Sequence, residues 1–440
     1  MTTMNSAPTI AVTPIDWAGA YDRLAAELPA LVTAATTLVT GFAACLDRRI
    51  DLHTVAPALA ERPEAGARRL FAELMARARA GRGGELLVDD WPDGAAFLDP
   101  HTLPDGMAIG GTSAQAAWTL AAIGAPSLLA LGEAGPEELA ALHAGIGLAE
   151  SGATLGSPRH RRPARRSGPA HYIVEYTAGR PLPGLVPERS TRVIVRFADE
   201  ALQEDAMFDR WVAAHGPQLR VGLLSSPNAV PLADLPPALA RLAAAARAWR
   251  RAGLSIVHLE LGDYPWPGTL GATLAGLAPE VTSIGLNQNE LRGLVPGDDP
   301  LAQADELSRR LGVDRLVVHA DGWALAVTRG DAGVELDALA MGCLLAAARA
   351  EAGRPSSHPR VPRRASFGPL PVPPLSSLPD GRRVACVAAP YLERPASTVG
   401  LGDSFTAGCL LVHSNTRHRP IVGPVGLPAG AIADTDPRRP

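Results

Sequence analysis

The stretch TVGLGDSFTAG, residues 398–408, sets glycines at 400, 402 and 408 around Asp403 and the hydroxyl residues Ser404 and Thr406. An apolar run, Cys409 to Val412, follows. Two readings compete. One is an ordinary glycine turn entering a buried helix. In the other, the backbone amides at Gly400, Leu401 and Gly402 approach an anion, and the helix beginning near Ser404 turns its positive end towards phosphate. In that second reading Asp403 accepts a proton from an attacking alcohol, and phosphoryl transfer asks little more of a side chain.

Working outward, short apolar strands alternate with longer helices, which argues for an α/β fold with a mostly parallel sheet. Helices are expected over 15–32, 56–80, 235–252 and 300–311, and an Ala-rich one after the glycine pair Gly110-Gly111. Strands are expected at SLLALG, VGLLS, LSIVHLELG, VTSIG, RLVVHA and RRVACVAAP. TTLVTGFAACLD reads as a strand running into a turn at Asp47, and 89–104 as a set of turns. HYIVEY and STRVIVRF alternate like antiparallel strands and suit a smaller β-rich element beside the main body. Residues 352–380, rich in Pro, Ser and Arg, read as an irregular excursion.

Composition narrows the function. Hydrophobic residues make up 47 % of the 440-residue chain and charged residues 20 %, the balance of a soluble globular protein. The net charge of -4 offers no general case for a nucleic-acid partner. GSPRHRRPARRSGP, residues 156–169, holds five arginines. Without interleaved aromatics it reads as a solvated loop rather than a nucleic-acid patch. The cysteines at 45, 343, 386 and 409 form no CxxC pair and read as buried reduced thiols. The N-terminal residues lack a signal-peptide pattern and no apolar run reaches membrane-spanning length, so a cytoplasmic location away from membranes is expected.

Open parallel sheets place their chemistry beyond the carboxyl ends of the strands. His258 and Glu260 are two apart on a strand and point to one side, suiting either a structural ion pair or a cation and water network at a phosphate. Asn287, Gln288, Asn289 and Glu290 crowd the end of the next strand. Oxygen ligands without cysteine suit a hard ion such as Mg²⁺. Asn287 and Glu290 also have the spacing of a helix capping box, and both readings are compatible.

These motifs together resemble the ADP-dependent sugar kinases, the ADP-dependent glucokinase/phosphofructokinase group of the ribokinase-like superfamily. The likeness spans roughly residues 30–415. Gly400, Gly402 and Asp403 resemble the family's glycine–glycine–aspartate region, His258-Leu-Glu260 its HxE motif, and SIGLNQNEL the strand ending in its NExE motif. Gln288 stands where that motif has its first glutamate. Gly41-Phe42 with Asp47 resembles the sugar-binding first strand, although Ala43 and Cys45 replace its asparagines. Gly110-Gly111 matches the glycine pair beneath the sugar, with Thr112 where asparagine is common. His171, Glu175, Tyr176 and Arg192 lie in stretches similar to the lid and acceptor side, and His319 in one similar to the nucleotide side.

The resemblance implies a single kinase module. Its large α/β domain would comprise mainly 14–46, 113–165 and 199–415, its lid 47–112 and 168–198, with 416–440 as a tail. It further implies transfer of the β-phosphoryl group of MgADP to a sugar or sugar-phosphate hydroxyl, leaving AMP. Asp403 would be the base and Gly400, Leu401 and Gly402 the anion cradle. Glu260 and Glu290 would position Mg²⁺, with His258 and Asn287 in its water network. Asp47, Gly110, Gly111, Thr112, Glu175 and Arg192 would hold the sugar, and His319 the nucleotide. Arg180, Arg192 and Arg196 are at hand for a phosphorylated acceptor. The partners implied are small molecules, in a monomer or small homo-oligomer. An ATP-dependent ribokinase-like sugar kinase and a catalytically silent sugar- or nucleotide-binding regulator are the alternatives.

Overall fold

The computed structural model describes residues 15–151, 155–165, 168, 170–198, 202–415, 418 and 420–422. The N-terminal residues 1–14, Arg166, Ser167 and Pro169 of the basic loop, and most of the tail lie outside the described residues.

Two sheets organise the chain. The larger has eleven strands, and its central strands run parallel: 127–129, Leu38–Gly41, Val221–Ser225, Ile256–Glu260, Ser283–Asn287 and Arg315–His319. Beyond Arg315–His319, strands Trp323–Thr328, Arg383–Ala388 and Leu375–Ser377 continue antiparallel. Helices cover both faces, which explains why Val221–Ser225 is buried at every position. The smaller sheet orders strands Gly84–Leu87, Thr191–Arg196, Ala170–Tyr176, Cys45–Asp51 and Thr102–Gly110. Ala170–Tyr176 and Thr191–Arg196 pair antiparallel, as their alternating pattern indicates.

The expected single strand ending at Asp47 is two strands in different sheets. Leu38–Gly41 belongs to the large sheet, and from Cys45 the chain pairs with Thr102–Gly110 and Ala170–Tyr176 in the small one. The expected helix over 56–80 is likewise two, Leu52–Ala60 and Ala65–Arg79. Pro63, between them, cannot donate the hydrogen bond that a continuing helix needs. Helix Gly94–Leu98 and the start of strand Thr102–Gly110 occupy the stretch expected as turns. Helix Pro300–Leu311 sits where its signals put it. Asp299 caps the first amides, proline follows, and Gly312 closes the end in left-handed conformation. The basic loop is anchored, with Arg161 donating to the carbonyls of Leu131, Gly132 and Ala149.

Helix Ala332–Ala352 has no polar face: fifteen of its residues are buried. A helix apolar all round belongs inside a large core. It packs on helix Leu401–Ser414, also buried along most of its length. Glycine makes that crossing possible. A Cβ on Gly408 would lie 2.7 Å from the Met341 carbonyl oxygen and 2.8 Å from the Cα of Gly342. Neither obstacle is a side chain that can swing away. No helix among the described residues is long and apolar enough to cross a membrane. Gly408→Leu is expected to lower stability by about 2 kcal/mol or more, since overpacking against fixed backbone strains both helices. Urea denaturation followed by circular dichroism would read this as a lower midpoint at unchanged slope.

Candidate active site

The carboxyl ends of three neighbouring parallel strands meet the amino end of helix Leu401–Ser414. Glu260, Asn287 and His319 are each the last residue of their strand, and Asn287 pairs directly with His319. Gly400, left-handed at φ 67°, turns the chain into the helix and leaves Asp403 in its first turn. Side chains of the small sheet face this edge. Between them lies a cleft of about 1350 Å³. Single small-molecule pockets run to roughly 1,000 Å³, so this one has room for two molecules side by side.

Glu260 is the most tightly held group in the cleft. Its Oε2 lies 2.9 Å from His258 Nε2 and accepts from the Thr406 hydroxyl at 3.0 Å, while His319 Nε2 is 3.2 Å from Oε1. Gly285 leaves the space for this pair, because a Cβ there would come within 2.1 Å of Glu260 Oε2. Burial acts to raise the Glu260 pKa, but the hydrogen bonds from His258 and His319 outweigh it and hold the carboxyl at about 2. Burial lowers the pKa of His258. His319 goes the other way, its bond to Glu260 overcoming the effect of burial.

Asn287 and Glu290 form a complete capping box. The Asn287 side chain accepts from the amides of Asn289 and Glu290, and Glu290 Oε2 accepts from the Asn287 amide at 2.8 Å. Burial nevertheless raises the Glu290 carboxyl to about 7 against that bond, with Glu260 and Asp263 adding repulsion. Asp403 is raised to about 6, chiefly by burial, with Glu260 adding to it; Arg349, Arg192 and a hydrogen bond from Thr112 act in the opposite direction. Two carboxyls with raised pKa and a third already ionised suit a centre completed by a cation. Mg²⁺ keeps several waters and takes only one or two protein carboxylates. Glu290 fits such a direct role, and Glu260, with both oxygens engaged, fits contact through water.

At the opposite end, Asp47 is buried and leans over Gly110, where a Cβ would stand 2.0 Å from its Oδ1. Gly111, at φ 85°, starts helix Thr112–Ala122 and brings Thr112 towards Asp403. Twelve of the expected site residues line the cleft: Asp47, Gly111, Thr112, Arg192, Glu260, Asn287, Glu290, His319, Gly400, Leu401, Gly402 and Asp403. Three do not. His258 stands behind Glu260, and Gly110 lies beneath Asp47. Glu175, expected at the sugar, turns to the loop before Gly400. It accepts from Arg49 at 2.6 Å, from the Ser397 hydroxyl at 3.0 Å and from the Thr398 amide at 3.1 Å. Arg180 pairs with Asp51, and buried Arg196 with Glu85. Arg192 faces the cleft, and its Nε has no hydrogen-bond partner among the described residues. None of the residues 352–380 lines the cleft.

Sequence reasoning missed Arg349. It is buried on helix Ala332–Ala352, donates to Gln115 Oε1 at 2.5 Å and to the Ser404 hydroxyl at 3.2 Å, and packs against Gly400. Burial lowers its pKa to about 10 despite the attraction of Asp403 and Asp47. The signal was there: Arg349 is the one charged residue in the run 338–350.

A profile of the ADP-specific phosphofructokinase/glucokinase conserved region matches residues 38–297. Among solved structures, an ADP-dependent kinase in complex with fructose-6-phosphate and ADPβS superposes with TM-score 0.76 at 15 % identity, covering 92 % of this chain and 99 % of that one. A phosphofructokinase from Pyrococcus horikoshii OT3 with AMP gives 0.65 at 15 %, covering 86 % and 98 %. The adenosine kinase from Sinorhizobium meliloti gives 0.51 at 16 %, covering 88 % and 89 %. The chain shares its fold with these kinases. No curated protein matches the sequence.

The raised pKa of Asp403 has a consequence for stability. Above about pH 6 the ionised carboxylate disfavours the folded state; the cost shrinks as pH falls through about 6 towards 4 and is gone below about 4, where the unfolded form is protonated too. Asp403→Asn is therefore expected to be more stable than the parent by about 2 kcal/mol at neutral pH, with the gap closing towards pH 4. Thermal melts of both proteins across that range would check it.

Proposed function

Because the chain belongs to the ADP-specific phosphofructokinase/glucokinase family, we propose that it transfers the β-phosphoryl group of MgADP to a sugar or sugar-phosphate hydroxyl, releasing AMP. The observation that carries this reading is Asp403 at the amino end of a buried helix, beside the Gly400–Gly402 backbone and facing a cleft of two-ligand size. In the reaction, Asp403 takes the proton of the acceptor hydroxyl as its oxygen bonds to the β-phosphorus. The bond from that phosphorus to the bridging oxygen breaks, and the oxygen leaves on AMP. A carboxylate with a pKa of about 6 is ionised at neutral pH and basic enough to accept that proton.

Amides at Gly400, Leu401 and Gly402 stabilise charge on the moving group, with the helix dipole behind them. Glu290 would hold Mg²⁺, and Glu260, braced from behind by His258, would order its water together with Asn287. When bound, Mg²⁺ neutralises charge on the phosphate oxygens. His319 lies on the nucleotide side, between Glu260 and Gly402. Asp47 and Thr112 hold acceptor hydroxyls, Gly110 and Gly111 let the sugar approach, and the small sheet serves as the lid that excludes water. Glu175 acts from behind by fixing the loop at Ser397 and Thr398. Arg192 is the group that would recognise a phosphorylated acceptor. The bound fructose-6-phosphate of the related ADP-dependent kinase supports that choice of acceptor class.

The purified protein should form AMP from ADP with Mg²⁺ and a sugar such as glucose or fructose 6-phosphate. Asp403→Asn should lose about 10²- to 10⁴-fold in kcat while remaining folded. Turnover with ATP alone would reassign the donor. Binding without turnover from either donor would leave a silent binding protein. The kcat/KM of the parent should fall as pH drops through about 6, because protonated Asp403 cannot act as a base. Arg192→Met should raise KM for fructose 6-phosphate at least about tenfold, the scale of one lost charged hydrogen bond, and leave that for glucose nearly unchanged. Equal effects on both sugars would remove Arg192 from phosphate recognition.

A further inference from the structure

Three side chains of different chemistry converge at the acceptor end of the cleft. Cys45 and Asp47 are two apart on the strand Cys45–Asp51 and project to the same side. On the adjacent parallel strand, His171 sits directly across from Asp47. Register alone therefore gathers a thiol, a carboxylate and an imidazole. Cys45 Sγ is 3.4 Å from His171 Nδ1 and 3.8 Å from Asp47 Oδ1, and the last two atoms are 3.9 Å apart. All three residues are buried and all line the cleft.

The Cys45 thiol is within sulfur hydrogen-bond reach of both His171 Nδ1 and Asp47 Oδ1, so those two edges suit a hydrogen-bonded cluster and a ligand set equally, and the third edge carries the difference. At 3.9 Å, His171 Nδ1 and Asp47 Oδ1 are too far apart to hydrogen-bond to each other. A tetrahedral zinc ion, with bonds of about 2.3 Å to sulfur and about 2.0–2.1 Å to nitrogen and oxygen, sets its ligand atoms roughly 3.3–3.6 Å apart. The three observed separations lie within roughly 0.6 Å of those edges. Among the described residues this is the group of His, Cys, Asp and Glu side chains whose ligand atoms meet at metal-binding distance. Glu260 and Glu290 are not part of it.

We propose that Cys45, Asp47 and His171 form a second cation site, distinct from the carboxylate centre, for a borderline-soft divalent ion of the Zn²⁺ type, with its fourth position open to the cleft. A thiolate and an imidazole select zinc-like ions over Mg²⁺ or Ca²⁺. Binding releases the Cys45 thiol proton to solvent and changes no oxidation state. Water takes the fourth position. A cation here engages the Asp47 carboxylate, so Zn²⁺ excludes the acceptor. This last consequence rests on the kinase reading; the binding of the metal does not.

The test is a titration of the full chain with Co²⁺ in the presence of excess Mg²⁺. A thiolate-to-cobalt charge-transfer band in the near ultraviolet is expected, saturating at one equivalent and bleached by Zn²⁺. Co²⁺ held only by oxygen ligands gives no such band. Cys45→Ser should abolish it, and His171→Gln and Asp47→Asn should each weaken Co²⁺ binding at least tenfold. Melting curves in chelator establish that each variant is folded, and three independent ligands keep the result readable if one is not. No band with the parent chain, or a band that survives Cys45→Ser, overturns the site. In the sugar-dependent assay, Zn²⁺ should raise the acceptor KM of the parent and leave that of Cys45→Ser unchanged. Cobalt binding without turnover from any donor would refute the kinase reading and leave the metal site standing.

Discussion

The arrangement of the cleft depends on how closely two buried helices approach one another. Gly342 and Gly408 let Ala332–Ala352 and Leu401–Ser414 meet backbone to backbone. That contact fixes the height at which the second helix presents its first turn to the sheet. Asp403 sits there, and Thr406, about one turn further along, ties the helix through its hydroxyl to Glu260 at the end of the strand Ile256–Glu260. The same approach brings Arg349 against Gly400. Packing, the glycine turn and the charges at the cleft floor are thus one constraint seen at three scales.

The electrostatics follow from that depth. Asp403 and Glu290 are pushed towards neutrality by burial, while Glu260 stays ionised because donors surround it. A site with two reluctant carboxylates is less stable than it might be, and perturbed carboxyls of this kind cluster at functional sites. Arg349 offsets part of the cost from inside the protein. It is too deeply placed to line the cleft, yet it is a source of positive charge behind the proposed anion cradle.

Much of this was legible in the residues. The polar strand ends and the glycine–aspartate turn carried their own chemistry, and helix Pro300–Leu311 carried both of its caps. What could not be read depends on contacts distant in sequence. Helix Ala332–Ala352 has no amphipathic period because every side of it is buried, so periodicity had nothing to report. Glu175 lies in a stretch similar to a sugar-binding one, but only the folded chain shows Ser397 and Thr398 waiting for its carboxylate. Cys45 looked like a mere departure from an asparagine. Its meaning comes from His171, 126 positions later and one strand away. The strand break after Gly41 was hidden for a similar reason, since both halves are apolar and only pairing assigns them to different sheets.

The bonds from Glu175 to Ser397 and Thr398, with Arg49 donating to the Ala396 carbonyl, join the small sheet to the loop that leads into Gly400. The sheet thereby braces the backbone proposed to face phosphate as well as being the proposed cover of the cleft. Any outward swing of the cover must detach that brace. Exposure to bulk water and slackening of the cradle then come as one event, and a donor held in the open protein meets water only when the backbone that would activate it has lost its bracing.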